Sequence, residues 1–228
     1  MKTSHILLAI IAVVTLTGMI ATDVLLKQQY DKIDWSDPYQ TFERREVPLV
    51  RHWVFESAPP GEVVIEQITG RAQALVNPEQ AKFFRVRQRG DTAYVAFTPG
   101  YDGLNEPRND ADNELGAGLV LRLPDLQSLR ITNGRLTLRQ RTAATLAIDL
   151  ENTRLRTNQL IVNGPVTLTT RRNSFAVLGA DRYQSLRTIV QDSSGIQLND
   201  TQTEQFSPDV SPKAEVQLRG RALRWLAK

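Results

Sequence analysis

The sequence predicts an all-β protein, a parallel β-helix or solenoid with rungs of about 20 residues. Antiparallel strands are expected to precede the rungs, and an N-terminal transmembrane helix to precede both. Three observations carry this prediction: an apolar N-terminal segment, an alternation of apolar and polar residues that begins at Val47, and a polar turn that recurs in the second half of the chain.

The N-terminal segment is almost purely apolar from Ile6 to Ile20 and weakly apolar as far as Leu26. This stretch barely reaches the roughly 20 residues that a membrane-spanning helix needs. Lys2 supplies the basic start of a secretory signal, but Gly18–Ala21 is a poor cleavage site. We interpret residues 1–26 as an uncleaved, single-pass anchor in the cell membrane, with a cleaved signal as the alternative. Both interpretations place the rest of the chain outside the cytoplasm, in the periplasm or at the cell surface.

The polar residues 27–46 are interpreted as a linker, and residues 47–228 as the folded domain. Short runs rich in Val, Ile, Trp and Phe follow one another in the first part of this domain and end at turns with Gly or Pro, which is typical of β-strands. Phe83–Gln88 and Thr92–Phe97 flank a turn that contains Gly90, and this arrangement predicts an antiparallel hairpin.

The second half of the domain repeats a pattern in which a polar turn pair is followed by apolar residues three and five positions on. Successive turns start 19, 20 and 21 residues apart by subtraction, and alternation at this period indicates stacked rungs. The turn pairs are Asn133-Gly134, Asn152-Thr153, Arg172-Asn173 and Ser193-Ser194, and a shifted fifth copy starts near Val216. We expect one stacked column of Leu136, Leu155, Phe175 and Ile196, and a second of Leu129, Ile148, Leu168 and Ile189.

Leucine-rich repeats are the alternative for this half of the chain, because Leu123–Ile131 has the spacing of that repeat. The phrase does not recur in full, however. The apolar residues after each turn also suit a strand better than a helix, so the sequence favours the parallel β-solenoid.

The composition excludes several classes of function. Hydrophobic residues make up 41% and charged residues 23% of the chain, as in globular rather than disordered proteins. A net charge of +3 is too small to predict a nucleic-acid partner, because nucleic acids call for a dense basic stripe. Without cysteine, the chain has no disulfides, no thiolate chemistry and no lipidated N-terminal cysteine.

We predict no catalytic residues, no metal ligands and no cofactor, because the sequence lacks the common motifs of hydrolases, nucleotide-binding loops and zinc proteases. His52 lies in a predicted strand beside Trp53, where a structural role is expected. The carboxylates of the rungs fall in different columns, which disfavours paired-carboxylate hydrolysis. An acidic loop offers oxygen ligands for calcium, but Leu115 stands where an EF-hand requires glycine, so we interpret it as a solvated loop; its acids are Asp102, Glu106, Asp110, Asp112 and Glu114.

Stacked rungs bring equivalent positions about 4.8 Å apart, so outward columns form ladders. Before the turns, these columns predict ion pairs across rungs, with Arg130 above Asp149 and Glu151 beside Arg171. After the turns, Arg135 is expected against Arg154 with no acid in the column. Like charges side by side cost stability unless they share an anion. The candidate anion-binding face comprises Arg135, Arg139, Arg154 and Arg156, and a solvated arginine face is the alternative.

A further set of features comes from the ends of the chain and the hairpin. The anchor ends in Leu25-Leu26-Lys27, the hairpin carries Arg89-Gly90-Asp91, and the rungs are closed by Ala214–Gly220. In these features the chain resembles the head GIN domain family, the auto-transporter adhesin heads of envelope proteins from Bacteroidetes-type bacteria. Most members carry Ser-Gly-Ser-Gly-like turns, which only Ser193-Ser194-Gly195 approaches here. The resemblance covers residues 47–228 and implies a β-helical fold and a surface or periplasmic location, but no established activity.

These features predict a non-enzymatic structural or adhesion module of the cell envelope. The alternative is an envelope domain that binds or senses a carbohydrate or another anionic ligand through its arginine-rich face. The expected partners are the membrane, through the N-terminal helix, and an envelope glycan, lipid or protein; no nucleic-acid partner is expected.

Overall fold

The structure is a computed structural model that describes residues 2–34, 37–98 and 116–227. The chain divides into two compact units, Met1–Thr41 and Phe42–Lys228. In the first unit, helix α1 runs from Lys2 to Tyr30 and is long and apolar enough to cross a membrane. Its described Leu, Ile and Val side chains are exposed.

The second unit is all-β, as the sequence predicts. Its described strands form one mixed sheet of 14 strands, and short 3₁₀ helices lie at Ala81–Phe83 and Gly220–Ala227. The strands are, in chain order, β1 Glu43–Glu46, β2 His52–Phe55, β3 Glu62–Gln67, β4 Gln73–Val76, β5 Phe84–Arg89, β6 Thr92–Phe97, β7 Ala117–Leu123, β8 Ser128–Ala143, β9 Leu146–Arg171, β10 Phe175–Leu178, β11 Arg182–Val190, β12 Gly195–Leu198, β13 Gln202–Val210 and β14 Glu215–Leu218.

The long strands β8 and β9 turn corners while remaining in the sheet. Asn133 and Asn152 mark the first corner with left-handed φ angles of 52° and 46°. Asparagine tolerates this conformation better than most residues, because its short amide bonds locally. The Asn152 amide also donates to Asn133 Oδ1 across the rungs at 2.8 Å. A second corner at Gln140 and Gln159, with φ of 51° and 60°, has no signal in the sequence.

Successive strands pair in parallel at nearly constant intervals. In the register, Leu136 lies opposite Leu155, Leu155 opposite Ala176, Ala176 opposite Ile196, and Ile196 opposite Val216. Subtraction gives intervals of 19, 21, 20 and 20 residues. The first four of these side chains are buried, so each strand packs its apolar residues on those of the next.

The first predicted column is wrong at Phe175. Ala176 takes the place opposite Leu155, and Phe175 lies outward. The reason is a longer turn, because Arg172 and Asn173 are both left-handed, with φ of 50° and 64°. One additional turn residue reverses the side of the sheet on which every following side chain lies.

The second predicted column is wrong at Ile189. Leu168 lies opposite Thr188, which is buried, and Ile189 is only half-buried. The left-handed residue of this rung is Asp192, with φ of 56°, so its turn begins one residue before the predicted Ser193. A threonine thus occupies a core position where the pattern suggested isoleucine.

Strands β2 and β3 pair in parallel with β8, although the sequence predicts antiparallel strands in this region. β6 and β7 extend the stack in parallel beyond β2 and β3. Antiparallel pairing joins β5 to β6 around Gly90, which confirms the predicted hairpin, and joins β4 to β7 and to β1. The stack therefore begins much earlier in the chain than its visible repeat.

One hydrophobic cluster runs through the described part of the second unit, from Trp53 and Phe55 to Leu198. Strand β8 runs on from the segment Leu123–Ile131 to Ala143 and is followed directly by β9 from Leu146 to Arg171. A leucine-rich repeat needs a helical segment after its strand, so that alternative is wrong for this segment. Residues 27–46, predicted as a linker, include the end of α1 and strand β1.

Candidate functional site

The predicted arginine face lies on the outward side of β8 and β9, after the corner at Asn133 and Asn152. Arg135 lies opposite Arg154 in the register, as expected, and Arg156 lies opposite Thr137. The Arg135 and Arg154 side chains are half-buried, and Arg156 is exposed. Because parallel neighbours are about 4.8 Å apart, the two opposed guanidinium groups share one small area of surface.

The expectation that no acid accompanies these arginines is wrong. Strand β3 adds Glu62 opposite Arg135 and Glu66 opposite Arg139. The Glu66 carboxylate lies 2.8 Å from Arg139 Nη2 and 3.3 Å from Arg122 Nε. Glu62 accepts a hydrogen bond from the hydroxyl of Thr137. The repeat could not reveal these acids, because β3 joins the stack from a distant part of the chain.

Phe175 continues the column of Arg135 and Arg154. The guanidinium carbon of Arg154 lies 5.6 Å from the centre of the Phe175 ring, a cation–π contact. The ring also covers Gly195, where an added Cβ would come within 2.7 Å of Phe175 Cε2. The arginine face therefore ends in an aromatic ring, which follows from the longer turn at Arg172 and Asn173.

The outward surface before the same corner carries paired charges, which confirms the predicted ion pairs across rungs. Asp149 lies 3.6 Å from Arg130 Nε and 2.5 Å from Arg171 Nη2. Glu151 lies 3.9 Å from Arg130 Nη2 and 3.7 Å from Arg171 Nε, and it also pairs with Arg172. We call this set the acid–arginine ladder.

His52 lies between a serine and an aspartate. Its Nδ1 is 2.7 Å from Ser128 Oγ, and its Nε2 is 3.9 Å from Asp91 Oδ2. The second distance is too long for a hydrogen bond, and a catalytic triad requires one there to orient the imidazole. His52 and Ser128 are register neighbours on β2 and β8, so their contact follows from strand pairing. This agrees with the structural role expected for His52.

Asp181 is one of the carboxylates of the rungs, and the sequence did not predict that it is fully buried. It accepts hydrogen bonds from Leu160 N at 2.9 Å, from Tyr183 Oη at 3.0 Å, and from the Thr157 hydroxyl. Burial raises the pKa of Asp181 above its ordinary value, and these hydrogen bonds oppose the rise. Burial, followed by the Asp181 charge, also raises the pKa of Tyr183 well above its ordinary value. Asp181 lies behind Tyr183 with no exposed surface, which suits a structural role.

Arg141 is the other buried charge with a shifted pKa. Burial lowers the pKa of its guanidinium to about 10, and the Asp125 charge opposes this shift. Both terminal nitrogens donate to the carbonyl oxygen of Leu123, at 3.3 and 3.2 Å. Arg141 thus holds the second corner of β8 to the end of β7.

Within residues 2–34, 37–98 and 116–227, no group of three or more His, Cys, Asp or Glu side chains is placed to hold a metal ion. The acidic loop from Asp102 to Glu114, considered above for calcium, lies outside the described residues.

No family model matches the chain, and no curated protein matches it. It is similar to a "putative adhesin" from Bacteroides fragilis, with 10% identity and a TM-score of 0.42 over 78% of this chain and 95% of that one. It is also similar to a "putative lipid binding protein" from Parabacteroides distasonis, with 10% identity and a TM-score of 0.33 over 78% and 94%. A "putative cell adhesion protein" from Clostridium sporogenes shares 9% identity, with a TM-score of 0.31 over 78% and 98%.

Proposed function

We propose that the chain is a membrane-anchored, extracytoplasmic β-solenoid that acts as a non-enzymatic structural or adhesion module of the cell envelope. In this proposal residues 1–26 form the anchor, 27–46 the linker, and 47–228 a GIN-like solenoid. The carrying observation is the parallel stacking at intervals of 19 to 21 residues, together with one continuous core. Such a stack presents long, regular surfaces, which suit contact with an extended partner.

The anchor is supported by the character of α1. Its leucine, isoleucine and valine side chains point outward on all sides of a helix of 29 residues. A helix that is apolar all round is stable in a membrane and not in water. The hydroxyls of Thr15, Thr17 and Thr22 donate to carbonyl oxygens one turn earlier, each at 2.8 Å, which satisfies these hydroxyls in lipid.

The location is tested with the full chain in a Gram-negative host. Alkaline phosphatase, which is active only outside the cytoplasm, is fused to the C-terminus, and green fluorescent protein to a parallel copy. We expect phosphatase activity, no fluorescence, and retention in membranes after alkaline carbonate extraction. Fluorescence in the soluble fraction would contradict both the anchor and the location.

Adhesion is tested with the full chain reconstituted in fluorescent liposomes and passed over immobilised bacterial surface glycans and envelope extracts. We expect retention of the loaded liposomes above that of empty ones. As a control, a variant with Leu155→Asp, which places a charge in the core and disrupts the stack, should not be retained. Equal retention of loaded and empty liposomes would count against an adhesive role and leave a structural one.

Binding of an anionic ligand through the arginine face is the second candidate function. It is favoured by the opposition of Arg135 and Arg154. Among the described residues, Arg135 and Arg156 form no ion pair, whereas Glu66 neutralises Arg139. We therefore propose that Arg135 and Arg156 carry this function, with Arg154 and Arg139 beside them.

The arginine face is tested with vesicles of phosphatidylglycerol and with dextran sulfate, at low and high salt. We expect salt-sensitive binding by the full chain, and about tenfold weaker binding by the double variant Arg135→Gln, Arg156→Gln. Arg187→Gln, which removes an exposed arginine from β11, is the matched control and should bind as the parent does. Unchanged binding by the double variant would remove this candidate.

A further inference from the structure

An open cleft of about 370 Å³ lies at the C-terminal end of the stack, away from the arginine face. It is formed by the starts of β11 and β13 and by the C-terminal 3₁₀ helix. Six of its lining residues matter for its chemistry: Arg182, Tyr183, Gln202, Glu204, Arg224 and Trp225. Its volume is within the range of about 300–1,000 Å³ that is usual for small-ligand sites.

The neighbouring strands β11 and β13 form one wall of the cleft. Arg182 lies opposite Gln202, and Tyr183 lies opposite Thr203, on neighbouring parallel strands. Arg182 and Glu204 are exposed, and Gln202 is half-buried. Tyr183 is the buried floor, and its hydroxyl already donates to Asp181 at 3.0 Å.

The opposite wall is held by the 3₁₀ helix Gly220–Ala227. Ala222 is fully buried and fixes the helix against the end of the stack. Arg224 donates to the carbonyl oxygen of Thr203, and its guanidinium lies 5.4 Å from the centre of the Trp225 ring. The Trp225 ring in turn lies 6.1 Å from that of Phe206 on β13. These contacts fix Arg224 before any ligand arrives, which reduces the entropy lost on binding.

The charges of the cleft suit a ligand with one negative charge. Arg182 and Arg224 carry two positive charges, and Glu204 carries a negative one. A dianion such as a phosphate monoester would be repelled by Glu204, whereas a neutral ligand would cover Arg182 without an anionic partner. Gln202 and Glu204 also offer a donor and acceptors for hydroxyl groups, and Trp225 offers an apolar surface.

We propose that this cleft binds a short acidic saccharide of the uronic acid class. The carboxylate of the sugar pairs with Arg182 and Arg224, its hydroxyls bond to Gln202 and Glu204, and its apolar ring face lies toward Trp225. Guanidinium groups suit carboxylates because their parallel N–H groups match the two oxygens. This site is distinct from the arginine face and does not depend on the adhesive role proposed above.

The test is isothermal titration calorimetry on the full chain in detergent micelles, with methyl galacturonoside, which carries one carboxylate, as the probe and its neutral counterpart, methyl galactoside, for comparison. We expect binding of the acidic sugar only. Arg182→Glu should weaken it at least about tenfold, because a charge-assisted pair becomes a repulsion. Glu204→Gln should tighten binding about twofold or more, because it removes a repulsion and keeps an acceptor.

Two control variants establish which surface of the protein holds the saccharide. Arg187 lies on the same strand β11 but outside the cleft, and Arg187→Gln should bind methyl galacturonoside as the parent does. Arg135→Gln, on the arginine face, shows whether that face takes part in binding the saccharide. Equal binding of the acidic and neutral sugars would overturn the proposal, as would parent-like binding by Arg182→Glu. Loss of binding in Arg135→Gln but not in Arg182→Glu would assign the saccharide to the arginine face instead.

Discussion

Strands β8 and β9 carry arginines on both sides of the corner at Asn133 and Asn152, but the two sides differ in their acids. Before the corner, Asp149 and Glu151 stand among Arg130, Arg171 and Arg172 in the acid–arginine ladder. After it, Arg135 lies opposite Arg154, and Arg154 lies against an aromatic ring. The same strands thus present one surface of ion pairs and one on which two arginines lie opposite each other, with Glu62 and Glu66 added only from strand β3.

The ion pairs before the corner stabilise the fold, whereas the opposition of Arg135 and Arg154 after the corner does not. In the ladder, each charge has an opposite charge within 4 Å. Opposed arginines weaken the stack unless an anion lies between them. Asp181 in the interior is a third case, because hydrogen-bond donors rather than arginines stabilise its carboxylate.

The largest expected effect is that of Asp181→Ala. The substitution leaves Leu160 N, the Thr157 hydroxyl and the Tyr183 hydroxyl without their acceptor inside the core. We expect the free energy of unfolding to fall by about 3 kcal/mol or more. Urea denaturation of the full chain in detergent, followed by fluorescence of the buried Trp53, measures this value. A loss below about 1 kcal/mol would mean that water replaces the carboxylate there.

The pH dependence of stability tests the same carboxylate through its ionisation rather than through its removal. Because the pKa of Asp181 is raised in the folded state, folding favours its protonated form. Its contribution to stability is full below the unfolded pKa of about 3.9 and declines as the pH rises through the folded pKa. Asp181→Asn, which cannot ionise, should flatten this decline when unfolding is compared between pH 4 and pH 7. An unchanged pH profile in Asp181→Asn would contradict the assignment.

The sequence predicts the parts of this fold that depend on local pattern. The hairpin around Gly90 and the corners at Asn133 and Asn152 follow from turn chemistry and alternation, and both are found. The pattern misplaces Phe175 because a single additional left-handed residue changes the side of the sheet, and nothing in the sequence signals whether Arg172 or Asn173 closes the turn.

The candidate site is harder to predict for a related reason. Glu62 and Glu66 join the arginine columns through β3, which is separated from β8 by the whole of β4 to β7. Register between distant strands depends on tertiary packing, which local periodicity does not encode. Asp181 follows a Gly-Ala pair, which is typical of an exposed turn, and only the structure places it in the core.

Glu151→Ala tests the acid–arginine ladder and has the next largest expected effect on the free energy of unfolding. Only 14% of this side chain is exposed, and it is the shared acid of Arg130, Arg171 and Arg172. Its removal should lower the free energy of unfolding by about 1–2 kcal/mol, because three cations lose a common partner. Asp209→Ala, on the exposed part of β13, is the matched control and should change it by less than about 0.5 kcal/mol. Equal effects in the two variants would show that the ladder adds nothing.

The corner that divides the two surfaces is tested by a pair of substitutions at Asn152. Asn152→Ala must hold a left-handed φ of 46° without an amide and loses the bond to Asn133 Oδ1. We expect it to lower the free energy of unfolding by about 1 kcal/mol. Asn152→Gly removes the same amide but tolerates the backbone, and it should recover about half of the loss. If both variants lost the same amount, the amide bond rather than the backbone would set the corner.

The smallest changes in the free energy of unfolding are expected for Arg130→Gln, before that corner, and Arg135→Gln, after it. Arg130→Gln breaks ion pairs with Asp149 and Glu151 at 3.6 and 3.9 Å, and should cost about 0.5 kcal/mol. Arg135→Gln removes both a repulsion from Arg154 and an attraction to Glu62, so its net effect should be near zero. Urea unfolding at low and high salt distinguishes the two, because salt screens the ion pairs of Arg130 and should shrink only its deficit. A clear loss for Arg135→Gln would mean that Glu62 neutralises this arginine, and the contrast between the two surfaces would then depend on Arg156.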